Sequence, residues 1–165
     1  MKRGEKGFTV IELLIGVAIM GVIAVPLMMA TTTLLTNPQR STDQNAVLHE
    51  VRNAGYWISR DVQMARVVTL DAPNRFLQLS IPVDGNEDND YSAIYLFDGN
   101  KLKRQVYDSL GALISETLIA GYIDTDNTIF SDLGSGSYKL TVRAAKGDAG
   151  VTRSYEINQR VSPAD

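Results

Sequence analysis

"KGFTVIELLIGVAIMGVIAVPLMMA", residues 6–30, decides how the rest of the chain is read. From Phe8 to Ala30 it is a run of 23 almost unbroken apolar residues. As a helix such a run is about 35 Å long, enough to cross a hydrocarbon core of about 30 Å. Glu12 interrupts it, and a carboxylate on the hydrocarbon side costs about 2.5–3.5 kcal/mol unless it has a partner. The basic residues Lys2, Arg3 and Lys6 precede the run. By the positive-inside rule that end stays in the cytoplasm. Everything after residue 30 is then exported.

Three arrangements compete for this segment. A secretory signal peptide is cut after its apolar region, at small residues, and Met28-Met29-Ala30 fits that poorly. The run is also too long for a signal. A plain uncleaved anchor accounts for everything except Glu12. A cut between Gly7 and Phe8, ahead of the run, keeps the anchor and creates a free amine at its start. Glu12 lies four residues after Phe8, one helical turn along, where the two opposite charges can neutralise each other between subunits packed side by side. Only this last arrangement uses Gly7, Phe8 and Glu12 together.

"KGFTVIELLIGVAIMGVIA" resembles the class III leader of type IV pilins and pseudopilins. That pattern is a short basic leader ending in Gly, an aromatic residue, Glu as the fifth residue after the cut, and an apolar helix. Gly7, Phe8, Thr9, Glu12, Leu13 and Leu14 all fit it. The resemblance implies removal of residues 1–7 by a prepilin peptidase and N-methylation of Phe8. It implies that Glu12 directs assembly by pairing with the amine of an adjacent subunit. Other pilin-like subunits and the inner-membrane assembly machinery are the partners it implies. Pro26 removes the helical bond to the carbonyl of Val22. In the family a proline in this region is linked to local melting when the helix packs into a filament, and the resemblance implies the same for Pro26.

Downstream, Asn37-Pro38 predicts a bend or short break, with Ser41, Thr42 and Asp43 as candidate N-caps for a restarted helix. Val47, Val51, Ala54, Ile58, Val62 and Ala65 then recur at helical spacing within an arc of roughly 80°, a narrow apolar stripe suited to lie on a sheet. His49 and Tyr56 point to the opposite side, and Trp57 flanks the stripe. Beyond residue 66 the period changes to two. Arg75–Pro82, Tyr91–Asp98, Lys101–Tyr107, Tyr138–Ala144 and Val151–Asn158 read as strands, with a tight hairpin at "FDGNKL". Residues 108–136 read as an irregular loop with a short strand near Leu118–Ile123.

The fold class is therefore α+β. The resemblance adds the pilin arrangement, a long amino-terminal helix with an apolar membrane half and an amphipathic half packed against an antiparallel β-sheet. Four segments follow: a leader (1–7), a transmembrane and assembly helix (8–30), an amphipathic helix after the bend (31–66) and a globular β-sheet domain (67–165). Residues 52–68, "RNAGYWISRDVQMARVV", are similar to a segment of J-type minor pseudopilins and W-type minor pilins, with Arg60, Asp61 and Ala65 as matching positions. "YSAIYLFDGNKLKRQV" resembles their strand, turn and Leu-x-Arg return. By itself, Arg60-Asp61 reads as an exposed pair worth about 0–1 kcal/mol.

Composition narrows the function. With 44% hydrophobic and 21% charged residues the chain has the makings of a folded domain. Lys2, Arg3 and Lys6 against Glu5 give residues 1–7 a charge of +2, so of the total of −3 the remainder carries −5. An acidic remainder argues against a nucleic-acid partner. One His and no Cys leave no HExxH, no thiol nucleophile and no multi-His metal centre, and the chain reads as no enzyme. "DGNEDND", residues 84–90, places Asp84, Asn86, Asp88 and Asp90 at alternate positions like the front half of a calcium loop. Asn89 and Tyr95 replace the Gly and Glu that such a loop requires, so a solvated acidic turn competes with calcium. The combined reading is a minor pseudopilin at the tip of a type II secretion pseudopilus, held in the inner membrane with its globular part exported. A minor pilin of an adhesive or DNA-uptake pilus, and a membrane-anchored receptor or adhesion domain that never assembles, are the alternatives.

Overall fold

The computed structural model describes residues 9–70, 75–83 and 89–160, with backbone alone for 34–39. Helix α1 spans Val10–Met64, and the chain divides into two units between Ser41 and Thr42. The helix is not interrupted at Asn37-Pro38, as a short break and a restarted helix require. Helical backbone also continues through Pro26.

In the first unit, Val10–Thr33 is long and apolar enough to cross a membrane, and no part of that span is buried. Its large side chains are exposed from 51% at Ile23 to 78% at Val10. Each such aliphatic chain stabilises by about 1.5–3 kcal/mol when removed from water, so the surface calls for lipid or neighbouring apolar helices. The threonines that end the span keep their hydroxyls on the helix itself. Thr31 donates to the Leu27 carbonyl at 2.8 Å, Thr32 to Met29 at 2.9 Å and Thr33 to Met29 at 2.9 Å. Back-bonding of this kind lets a hydroxyl sit in an apolar setting without an unmet donor.

The second unit is built on the rest of α1. Val47, Val51, Ala54, Ile58, Val62 and Ala65 are all fully buried, so the stripe read from spacing is the helix face of the core. Around it, among the described residues, eight strands form two antiparallel sheets. The first holds β1 (Val67–Thr69), β2 (Leu77–Ile81), β3 (Tyr91–Asp98), β4 (Lys101–Tyr107) and β5 (Leu113–Ala120) in that spatial order. The second holds β6 (Ile129–Gly134), β7 (Ser137–Lys146) and β8 (Ala149–Asn158). The chain crosses between them at Ile123, which bridges to Ala144. Leu77, Leu79 and Ile81 on β2 and Leu140, Val142 and Ala144 on β7 alternate inward onto the helix stripe.

Two expectations are corrected here. Residues 108–136 are not a loop with one short strand: they contain β5, a single 3-10 turn at Thr125–Asn127, and β6. The single sheet is two. The β3–β4 hairpin is as read, Asp98 pairing with Lys101 across a two-residue turn in which Gly99 takes φ +59°, a value costly for any side-chain-bearing residue.

The helix is fastened to the sheets by polar contacts along its flanks. Asn53 Nδ2 donates to the Ile119 carbonyl at 2.7 Å, and Glu50 Oε2 accepts from Gly121 N–H at 2.7 Å. Lys146 pairs with Asp43, one of the candidate caps, at 3.0 Å. The Tyr155 hydroxyl donates to the Val51 carbonyl at 3.2 Å, reaching the helix backbone over Gly55. A Cβ at Gly55 would lie 2.7 Å from that hydroxyl and nearer still to the ring.

Asp61 is the deepest of these ties. Its side chain is 1% exposed, and its Oδ2 accepts from Arg104 Nε at 2.6 Å and from the Tyr95 hydroxyl at 2.8 Å. Arg104 is 13% exposed and its guanidinium carbon lies 5.4 Å from the Trp57 ring centroid, with that of Arg60 at 5.7 Å. Burial first, and then the Asp61 charge and hydrogen bond, push the Tyr95 hydroxyl well above the ordinary tyrosine value, which keeps it a donor. Arg60-Asp61 is thus not an exposed pair. Asp61 belongs to a buried centre joining α1, β3 and β4, and its partner is Arg104.

Two outcomes follow for stability, measured by urea unfolding of the detergent-solubilised protein through Trp57 fluorescence. Gly55→Ala gains about 0.5–1 kcal/mol of helix propensity but overpacks against Tyr155 at a cost of about 1–3 kcal/mol, so it destabilises. In a Tyr155→Ala background the same change should stabilise; an unchanged sign there would refute the close-approach role of Gly55. Asp61→Ala strands the Arg104 charge and destabilises by about 3–5 kcal/mol, while Asp61→Ala with Arg104→Met recovers most of that loss. Equal losses in the single and double variants would show that the pair is not the cause.

Candidate functional site

The chemistry that distinguishes this chain sits where α1 begins. Thr9 precedes the first helical residue, and Thr9-Val10-Ile11-Glu12 has the spacing of a capping box. The side chains close it in both directions. The Thr9 hydroxyl accepts from Glu12 N–H at 3.3 Å, and Glu12 Oε2 accepts from Thr9 N–H at 3.2 Å and from the Thr9 hydroxyl at 3.1 Å. The first intrahelical bond, Leu13 N–H to the Thr9 carbonyl, is 3.2 Å. Donors that a helix start leaves unpaired are thereby met. A negative charge in this first turn also faces the positive end of the helix dipole, worth about 0.3–1 kcal/mol.

This geometry changes the account of Glu12. One oxygen of the carboxylate, Oε2, takes two hydrogen bonds within one turn, with no help from a second molecule. Its net charge is not neutralised by those contacts, because Thr9 supplies dipoles and no cation. In an apolar setting an uncompensated charge costs far more than an unmet hydrogen bond. What a partner has left to provide is positive charge. The Thr9-x-x-Glu12 signal was present in the sequence ahead of an apolar run, and it is the functional feature that sequence reasoning missed. Gly7 and Phe8, the expected processing residues, lie outside the described residues, as does the rest of the 1–7 leader.

The acidic loop does not join this site. Asp84, Asn86 and Asp88 lie outside the described residues. Asp90, with a side chain 6% exposed, turns its Oδ2 toward Ser80 Oγ at 3.0 Å and Arg66 Nε at 3.3 Å. Only Oδ2 of Asp90 is engaged by these two groups, and its buried Oδ1 has no hydrogen-bond partner among the described residues. Among the described residues no group of three or more acidic or histidine side chains is placed to hold a metal. His49 points to solvent with its side chain 75% exposed, 3.9 Å from Glu50. Tyr56 on the same side of the helix is 61% exposed.

Residues 2–28 match the family model described as the prokaryotic N-terminal methylation motif. The match spans the basic leader, the Gly7-Phe8 step, the capping box and most of the apolar run. No curated protein and no solved structure matches the chain. The motif is the class III prepilin leader of pilin- and pseudopilin-type subunits, and the α+β arrangement of one long helix with antiparallel sheet is pilin-like. Over residues 2–28 this chain therefore carries a methylation motif, and that segment is similar to the leader and first helix of type IV pilin-like subunits.

Proposed function

We propose that the chain is a minor subunit of a type IV pilus-like filament, of the J type found at the tip of a type II secretion pseudopilus. Residues 1–7 are removed after Gly7 and Phe8 is N-methylated by the prepilin peptidase. Residues 8–30 hold the subunit in the inner membrane with its amino terminus on the cytoplasmic side, and 67–165 form its exported part. Apolar helices of other pilin-like subunits are its partners, delivered by the inner-membrane assembly machinery. The observation that carries this reading is the Glu12 carboxyl group at the head of an apolar helix whose large side chains are exposed. A cut at Gly7 creates the cation it lacks, one turn away. The J type is supported by the two stretches that resemble it, residues 52–68 and 91–106, and Asp61 of one pairs with Arg104 of the other in this chain. Those stretches resemble W-type minor pilins as well, so a minor pilin of an adhesive or DNA-uptake pilus stands as the variant of the same reading.

A second reading rests on the capping box. If Thr9 meets every need of Glu12, the chain is an anchored domain that never assembles. Three variants separate the two when expressed in place of the natural chain, with the filament fraction and the membrane fraction quantified. Thr9→Val removes the cap and costs about 1 kcal/mol of local helix stability, leaving the carboxylate. Glu12→Ala and Glu12→Gln remove the charge. Assembly predicts that all three are processed alike, that both Glu12 variants fall about tenfold in the filament fraction, and that Thr9→Val stays within about twofold, since a charge pair in lipid outweighs a cap. Equal losses for Thr9→Val and Glu12→Ala, or normal incorporation of Glu12→Ala, would eliminate the assembly role.

A further inference from the structure

Between α1 and β8 lies an open groove of 390 Å³ whose charged lining is entirely basic. Arg52 and Arg60 enter it from the helix, Arg153 from the strand, and Tyr56 and Tyr155 form its aromatic walls. No acidic side chain lines it. None of the three arginines has an ion-pair partner among the described residues, though Arg60 also lies over Trp57. Four basic side chains of β4 and β7 are matched: Lys103 with Asp98 and Glu116, Arg104 with Asp61, Arg143 with Asp124, Lys146 with Asp43. A chain with 19 acidic and 16 basic residues therefore leaves three cations converging, unmatched, on one concavity. Like charges gathered this way repel, and an anion between them relieves that repulsion.

We infer that this groove binds an acidic, extended peptide segment of a neighbouring subunit. The lining favours a peptide over a lipid surface, because cations from two elements stand beside two tyrosine rings and polar side chains able to contact a polypeptide backbone. The spacing favours a segment over a single ion. Arg52 and Arg60 are eight residues apart on one helix, about 12 Å. An extended chain at about 3.3 Å per residue presents carboxylates to both when they stand four residues apart. Planar guanidiniums pair with carboxylates through two parallel hydrogen bonds, which gives such a segment a defined register. Tyr155, held on the helix backbone through Val51 and seated over Gly55, gives the groove a fixed aromatic wall. That the peptide belongs to a neighbouring subunit rests on the filament reading; the chemistry of the groove does not.

The test uses the full-length protein in a zwitterionic detergent and a fluorescently labelled, end-blocked peptide, Asp-Gly-Asn-Glu-Asp-Asn-Asp, with its Asn/Gln counterpart as control. Binding is followed by anisotropy. The acidic peptide should bind at low ionic strength and the neutral one should not. Arg52→Gln and Arg153→Gln should each weaken binding about tenfold, the share of a charge-assisted pair. Lys139→Gln, the same charge change at an exposed position on β7, should alter it less than about twofold. Unchanged circular dichroism keeps the comparison valid, since all three positions are exposed. The proposal is overturned if the acidic peptide does not bind, or if Lys139→Gln weakens it as much as the groove variants. It is equally overturned if phosphatidylglycerol vesicles or inorganic phosphate bind as tightly with the same arginine dependence. Failure here leaves the roles of Gly7 and Glu12 untouched, whereas normal incorporation of a Glu12→Ala chain removes the filament without altering peptide binding.

Discussion

A carboxylate at the head of an otherwise apolar helix is the constraint on which this molecule turns. Hydrogen-bond donors are supplied next door by Thr9, so the helix starts cleanly and Glu12 is not left bare. Charge is another matter. Dipoles soften it and cannot cancel it, and the cost of holding it in hydrocarbon remains until a cation arrives. In the function proposed above, a cut one turn upstream gives every copy an amino-terminal cation, so that the amine of one subunit meets the Glu12 of its neighbour. That is an economical way to make a subunit acceptable to lipid only in company, and it ties membrane residence, processing and association to one residue.

The remainder of the structure serves to fasten a sheet-rich unit to the continuation of that helix sequence. Apolar burial of the stripe from Val47 to Ala65 supplies most of the stabilisation, and it is non-directional. Direction comes from the polar ties. Asp61 takes donors from β3 and β4, Asn53 and Glu50 hold the end of β5, and Val51 receives Tyr155 from β8. Each contact fixes a strand at one point along the helix, so register between helix and sheets is set by chemistry that sliding would break. The buried pair contributes little to net stability relative to a well-packed apolar substitute. Its role is to specify which turn of the helix meets which strand.

How much of this was legible depended on whether a residue's fate was decided locally. The stripe, the bounds of β3 and β4 and the hairpin at Gly99 followed from period and turn chemistry, which neighbours in sequence determine. β5 escaped because Leu113 to Leu118 are all exposed, so no alternation marks an edge strand that packs only its last two residues, Ile119 and Ala120. β6 escaped similarly, with Ile129 and Leu133 exposed. Two sheets in place of one depend on where the chain crosses at Ile123, a long-range pairing with no local signature. Asp61 stood three residues after Ile58 and four before Ala65, at the border of the stripe, so its burial was readable. Its partner, 43 residues later, was not. At the head of the helix the position was reversed: the leader pattern drew attention to Glu12 as an anion, while the plainer local grammar of Thr9-x-x-Glu12 went unread.

Mass spectrometry of the protein taken from the membranes of the cells that make it, with fragmentation of its amino-terminal peptide, addresses the central claim most directly. The account predicts a chain that begins at Phe8, carries a methyl group on its amine and retains the whole apolar helix. A chain that still begins at Met1, or one cut beyond Ala30, would contradict it, because Glu12 would then have no cation of the chain's own making.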